Sequence, residues 1–84
     1  MSKIQIYTTL TCPYCHAAKS LLKKKGVDYQ DINVTLPAAR AKMIERAKGR
    51  RSVPQIFIGD NHIGGFDDMA ALDRAGKLDA MLAG

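Results

Sequence analysis

The sequence predicts a small α/β domain ordered βαβα-ββα, and three observations carry that prediction. Short runs such as Ile4-Gln5-Ile6-Tyr7 alternate with a period of two and are β-branched. They are followed by lysine- and alanine-rich segments that open on proline and close on glycine. Late in the chain, two apolar runs stand on either side of Gly59-Asp60-Asn61, a hairpin turn signal. Helices that follow strands imply a parallel pair, and the hairpin adds an antiparallel edge. The 84 residues hold one domain, 1–84, because domains rarely fall below about 50 residues. Leu, Ile, Val and Phe make up about 23% of the chain, above the level near 20% at which disorder sets in.

Ile4–Tyr7 reads as the first strand and Thr8–Thr11 as a turn. Pro13 suits the first turn of a helix, where its missing N–H costs nothing. Ala17, Ala18, Leu21 and Leu22 give that helix one apolar stripe, and Gly26 ends it behind Lys23, Lys24 and Lys25. Val27–Asn33 reads as a second strand. Pro37 opens a second helix with Met43, Ile44 and Ala47 inward and Gly49 as its stop. Pro54–Ile58 is a strand with proline at its first position, and His62-Ile63 is a short return strand broken by Gly64-Gly65. Asp67 or Asp68 caps a third helix that turns Leu72 inward and ends at Gly76, and a helical tail runs on to Leu82.

Composition excludes several classes. No apolar run approaches the roughly 20 residues of a membrane span, and Met1-Ser2-Lys3-Ile4 lacks a signal-peptide apolar region, so a cytoplasmic domain is expected. The net charge of +5 is uneven: residues 1–51 hold 11 Lys/Arg against 3 Asp/Glu, and residues 52–84 hold 2 against 5. That asymmetry fits an anionic partner or a solvated basic helix face. The five aromatic residues are not interleaved with the basic ones, which argues against a stacking platform for nucleic acid.

Cys12-Pro13-Tyr14-Cys15 carries the chemistry. At a strand-to-helix junction the first cysteine faces unpaired backbone N–H groups and the positive end of the helix dipole, both of which favour thiolate. Cys12 is the exposed attacking sulfur, and Cys15, one turn further in, is more buried and able to close a disulfide. Such a C-x-x-C reads as a thioredoxin-like redox motif. The same residues with His16 spell C-x-x-C-H, the attachment pattern of c-type haem, which would need export and an axial ligand such as Met43, Met69 or Met81. Zinc held by Cys12, Cys15 and His16 or His62 would want a second Cys/His pair that the sequence lacks.

Two downstream features point the same way as the cysteines. A cis Val53-Pro54 bond would turn the Val53 N–H and C=O outward, free to pair with an extended peptide, although an ordinary trans proline also fits a strand start. Gly64-Gly65-Phe66-Asp67-Asp68 puts a turn at a helix N-terminus, a ready seat for a carboxylate.

Taken in order, Cys12-Pro13-Tyr14-Cys15, Ser52-Val53-Pro54-Gln55-Ile56-Phe57-Ile58 and His62-Ile63-Gly64-Gly65-Phe66-Asp67-Asp68 resemble the glutaredoxins of the small dithiol class, over essentially the whole chain. Pro-Tyr between the cysteines, without Trp beside Cys12, is similar to glutaredoxin and not to thioredoxin. The resemblance implies a thioredoxin-like fold, a four-stranded mixed sheet flanked by helices, with Val53-Pro54 cis. It also implies a glutathione site beside Cys12, with Tyr14 flanking, Ser52, Val53 and Pro54 facing the tripeptide, and its γ-glutamyl end held at Gly65, Phe66 and Asp67. Many relatives have Lys at Thr9, Thr at Ser52 and a small residue at Phe66. Arg50 or Arg51 is then expected to answer the glycyl carboxylate, and Phe66 to crowd or wall the groove. The basic first half is expected to surround the thiolate.

The function implied is a monomeric, glutathione-dependent thiol–disulfide oxidoreductase. It would act on glutathionylated and disulfide-containing proteins, with glutathione as co-substrate and no tightly bound cofactor. The alternatives are an iron–sulfur cluster carrier using Cys12 with glutathione and, from the basic half, a nucleic-acid-binding module.

Overall fold

The computed structural model describes residues 3–83; Met1, Ser2 and Gly84, and the expectations that touch them, lie outside the described residues. Its elements are β1 (Ile4–Thr8), α1 (Pro13–Lys24), β2 (Gln30–Asn33), α2 (Pro37–Arg46), β3 (Gln55–Ile58), β4 (Asn61–Gly64), α3 (Phe66–Arg74) and α4 (Leu78–Ala83). The sheet order is β2-β1-β3-β4. β1 and β2 are parallel, and the other two pairings are antiparallel. This is the four-stranded mixed sheet flanked by helices that the residues and the resemblance imply.

Strand alternation separates two cores. Ile4, Ile6, Ile56 and Ile58 face Ala18 and Leu22 of α1, Met69 of α3 and Leu78 and Leu82 of α4. Tyr7 and Phe57 face the other way, onto Met43 of α2, onto Ala47 at its C-cap and onto Val34. Leu22 is fully buried, and a burial of that size is worth about 1.5–3 kcal/mol. Cys15, Ala18 and Leu22 form the inward stripe of α1, while Lys23 and Lys24 occupy its last turn and Gly26 takes φ 73° beyond it.

Several boundaries differ from expectation for identifiable reasons. The second strand starts at Gln30, not Val27, because the Val27 N–H closes the end of α1 on the Leu22 carbonyl. Val27 and Tyr29 still pack against the larger core. Thr8 belongs to β1 and not to a turn, paired with Asn33. Pro54 lies just before β3, and β4 takes in both Asn61 and Gly64 because Asn61 pairs with Ile58 and Gly64 with Ile56. Neither Asp67 nor Asp68 is the N-cap of α3; Gly65 is, and the Asp68 carboxylate, at the third helical position, reaches back to accept the Gly65 N–H at 2.9 Å.

The Asp31 carboxylate ties three elements together. It accepts from Thr8 Oγ1 of β1 at 2.5 Å and from Lys19 Nζ of α1 at 3.0 Å. Burial pushes the carboxyl up, but the Thr8 and Lys19 bonds outweigh it and leave Asp31 below the usual carboxylate range. The folded chain therefore holds this proton less tightly than the unfolded chain. The bonds contribute stability above the unfolded value, near pH 4, and lose it as pH falls through the folded one. Urea midpoints of the wild type and Asp31→Asn should differ at neutral pH and converge on acidification; a gap that stays constant with pH would contradict this.

Candidate active site

Topology gathers the functional segments at one end of the sheet. β1 runs up to Thr8, β3 starts there because it is antiparallel to β1, and β4 returns there at Gly64. The loop at Cys12, the segment Ser52–Pro54 and the start of α3 thus converge.

Cys12 is the N-cap of α1 in an extended conformation, with Pro13 next. Its sulfur accepts the Cys15 N–H at 3.4 Å, which is the orphan donor of the first helical turn. Its thiol lies 3.6 Å from the Val53 carbonyl oxygen. Cys12 is partly exposed and Cys15 wholly buried; both are free thiols. Burial pushes the Cys15 thiol up, the hydrogen bond with Cys12 pushes it further, and a backbone bond from Thr9 with the Lys19 charge opposes. The two sulfurs are thus unequal: one open to attack, the other kept protonated.

The Val53–Pro54 bond is cis. Among the described residues no backbone hydrogen bond takes up the Val53 N–H. A cleft of about 160 Å³ opens beside this segment. Tyr14, Arg50, Ser52, Val53, Pro54, Gly65, Phe66 and Asp67 all line it, each expected from the sequence, with Arg50 taking the place for which Arg51 was the alternative. Phe66 walls it, its ring 6.4 Å from that of Tyr14 and tilted 31°. The first N–H groups of α3, at Phe66 and Asp67, have no helical acceptor, and both residues line the cleft.

Asp68 has a larger part than its place in the sequence suggests. It lines the cleft, caps α3 and pairs with Arg50 at 3.4 Å. The pairing needs the β3–β4 hairpin to bring residues 50 and 68 together, and no local pattern announces it. Arg51 does not line the cleft; its carbonyl oxygen accepts from Arg40 instead. The basic half of the chain reaches the site unevenly: the Lys19 charge acts on Cys15. Among the described residues Arg50 is the one cation lining the cleft, and Lys23 and Lys24 sit at the far end of α1, about 17 Å from Cys12 at 1.5 Å per residue.

Gly64 is required at this junction. Its φ is 113°, and a Cβ there would collide with the Asp68 carboxylate and lie 2.6 Å from Arg50 Nη1. Gly64→Ala should cost about 2–3 kcal/mol in a denaturant titration, combining backbone strain with a damaged cap. An unchanged midpoint would show that Asp68 moves aside freely.

The zinc ligand set is not assembled. His16 Nε2 meets the Leu10 carbonyl oxygen, His62 meets Gln55, and among the described residues no three His, Cys, Asp or Glu side chains gather. Among them, too, no helix is long and apolar enough to cross a membrane.

A partly exposed cysteine capping a helix, a buried partner one turn on and a cis-proline segment 3.6 Å from the first sulfur, on this sheet, define a thiol–disulfide oxidoreductase of thioredoxin-like fold. The family model described as Glutaredoxin matches residues 4–63. The chain is 54% identical over 84 residues to a glutaredoxin of Pseudomonas aeruginosa, covering 99% of each. It is 50% identical over 82 residues to glutaredoxin 3 of Escherichia coli K12, covering 98% of this chain and 99% of the relative. The crystal structure of a buckwheat glutaredoxin–glutathione complex superposes with a TM-score of 0.87 at 34% identity, over 98% of this chain and 77% of that one. The solution structure of a Brucella melitensis glutaredoxin gives 0.86 at 49%, over 98% and 89%. The chain belongs to the glutaredoxin family.

Proposed function

We propose that this single domain is a monomeric, cytoplasmic, glutathione-dependent oxidoreductase that reduces protein–glutathione mixed disulfides and protein disulfides. The Cys12 thiolate attacks the glutathione sulfur of a mixed disulfide. The S–S bond breaks, the protein leaves as thiolate and takes up a proton from water, and Cys12 carries glutathione as a new disulfide. A second glutathione thiolate attacks that disulfide, frees Cys12 and departs as oxidised glutathione. With a protein disulfide, Cys12 joins one half and releases the other. Cys15 then loses its proton and attacks the Cys12 sulfur, expelling the substrate thiolate. The resulting Cys12–Cys15 disulfide is reduced by two glutathione molecules. No tightly bound cofactor is needed, because the electrons come from glutathione.

The observation that carries this reading is the cleft beside Cys12, with polar backbone at Val53, open helix N–H groups at Phe66 and Asp67, and one cation at Arg50. In it the Val53 backbone pairs with the cysteinyl part of glutathione, Phe66 and Asp67 N–H groups hold the γ-glutamyl carboxylate, and the Asp67 carboxylate answers the ammonium. Tyr14 and Phe66 form the sides, Ser52, Pro54 and Gly65 the floor, and Arg50 faces the glycyl carboxylate. The buckwheat relative, solved as a glutathione complex, supports the choice of ligand. A glutathione titration followed by amide shifts tests it in the wild type and in Phe66→Ser. Shifts should centre on Cys12, Val53 and Asp67 in both; shifts elsewhere would refute the site.

A further inference from the structure

Gln55 is wholly buried at the start of β3, and its amide is fully used. Gln55 Nε2 donates to the Ser52 carbonyl oxygen at 2.9 Å and to Ser52 Oγ at 3.2 Å. A carbonyl oxygen only accepts, so the amide nitrogen must face Ser52 and the amide oxygen must face His62. His62 Nε2 lies 2.7 Å from Gln55 Oε1 and is therefore the nitrogen that carries the proton. The His62 ring is itself fixed, stacked on Phe57 with centroids 4.6 Å apart and planes 15° from parallel. A chain of directed contacts thus runs from the core residue Phe57 through His62 and Gln55 to Ser52, next to the Val53 backbone in the cleft.

Burying an amide costs free energy unless every polar atom is partnered, and an apolar side chain would fill the place without that demand. Two other side-chain contacts reach this segment: Arg40 Nη2 to the Arg51 carbonyl oxygen at 2.8 Å, which is exposed, and the longer contact of the Cys12 thiol with the Val53 carbonyl oxygen at 3.6 Å.

We propose that Gln55, held in one orientation by His62, is a positioning residue that fixes the Ser52–Val53 backbone at the cleft and so sets affinity for the tripeptide. It does not set the reactivity of Cys12. This rests on the reading of the cleft as a glutathione site. It predicts that glutathione affinity can be tuned from a residue that never touches the ligand.

The test uses S-methylglutathione, which cannot exchange disulfides, titrated into the wild type, Gln55→Leu, His62→Phe and the double variant, with amide shifts as the readout. Gln55→Leu should bind about tenfold more weakly, the equivalent of about 1.4 kcal/mol. His62→Phe, which keeps a ring against Phe57, should fall in the same direction by less. The double variant should be no worse than Gln55→Leu, because the two residues act in series; independent roles would add. Alkylation of Cys12 by iodoacetamide should be unchanged throughout. Wild-type affinity in Gln55→Leu, additive losses, or a parallel fall in alkylation would each overturn the inference. Should Gln55→Leu not fold, unaltered affinity in His62→Phe overturns it alone. Absence of any shift in the wild type would overturn the cleft reading itself, a separate result.

Discussion

Replacing Cys12 by serine is expected to abolish reduction of glutathionylated proteins, a loss of more than about 1,000-fold, since a hydroxyl cannot replace the attacking thiolate. Cys15→Ser should leave that reaction intact and stop reduction of protein disulfides. The asymmetry follows from placement. Cys12 caps α1 and is open to solvent, while Cys15 is buried and its thiol is pushed up by that burial. Cys15 becomes a nucleophile when a disulfide forms on Cys12, to whose sulfur its own N–H already points at 3.4 Å. Steady-state rates on one glutathionylated protein and one protein disulfide check both halves. Equal losses in the two variants would contradict the division of labour.

Phe57→Ala should be the most damaging core substitution, at about 3–5 kcal/mol in a urea titration. An 84-residue domain holds only about 4–12 kcal/mol in total, so this change approaches its whole margin. Phe57 is buried between β3 and α2, with Tyr7 edge-on at 5.6 Å and the Arg46 guanidinium 4.0 Å above its ring. Arg46 is also bonded to Gln5 and to the Gly59 carbonyl oxygen, and His62 stacks on the same phenyl group. Removing the ring opens a cavity and frees both neighbours. Phe57→Leu, which keeps much of the volume, should cost about 1–1.5 kcal/mol. Equal losses for Ala and Leu would mean that the aromatic contacts, and not the cavity, dominate.

Much of the site was legible because its signals are local. Cys12 to Cys15 mark a helix mouth by themselves, Val53-Pro54 can be read as a candidate cis bond, and Gly65-Phe66-Asp67 marks a helix start. Features made by pairing distant segments were not legible. The Arg50–Asp68 contact depends on how the hairpin brings α3 back, and Gln55 reads as an ordinary polar strand residue until its burial is seen. The excess of positive charge is a coarse signal: α1 carries Lys23 and Lys24 to its far end, while Arg50 lines the cleft. The second strand reads three residues too long because Val27 is apolar and β-branched, while its N–H is claimed by the end of α1.

Following the glutathionyl group tests the central claim most directly. In the Cys15→Ser variant, incubated with a glutathionylated protein and analysed by intact mass and peptide mapping, one glutathionyl group should move to Cys12 as the substrate is released as free thiol. Formation of a disulfide between Cys12 and the substrate protein, with glutathione set free, would contradict the account.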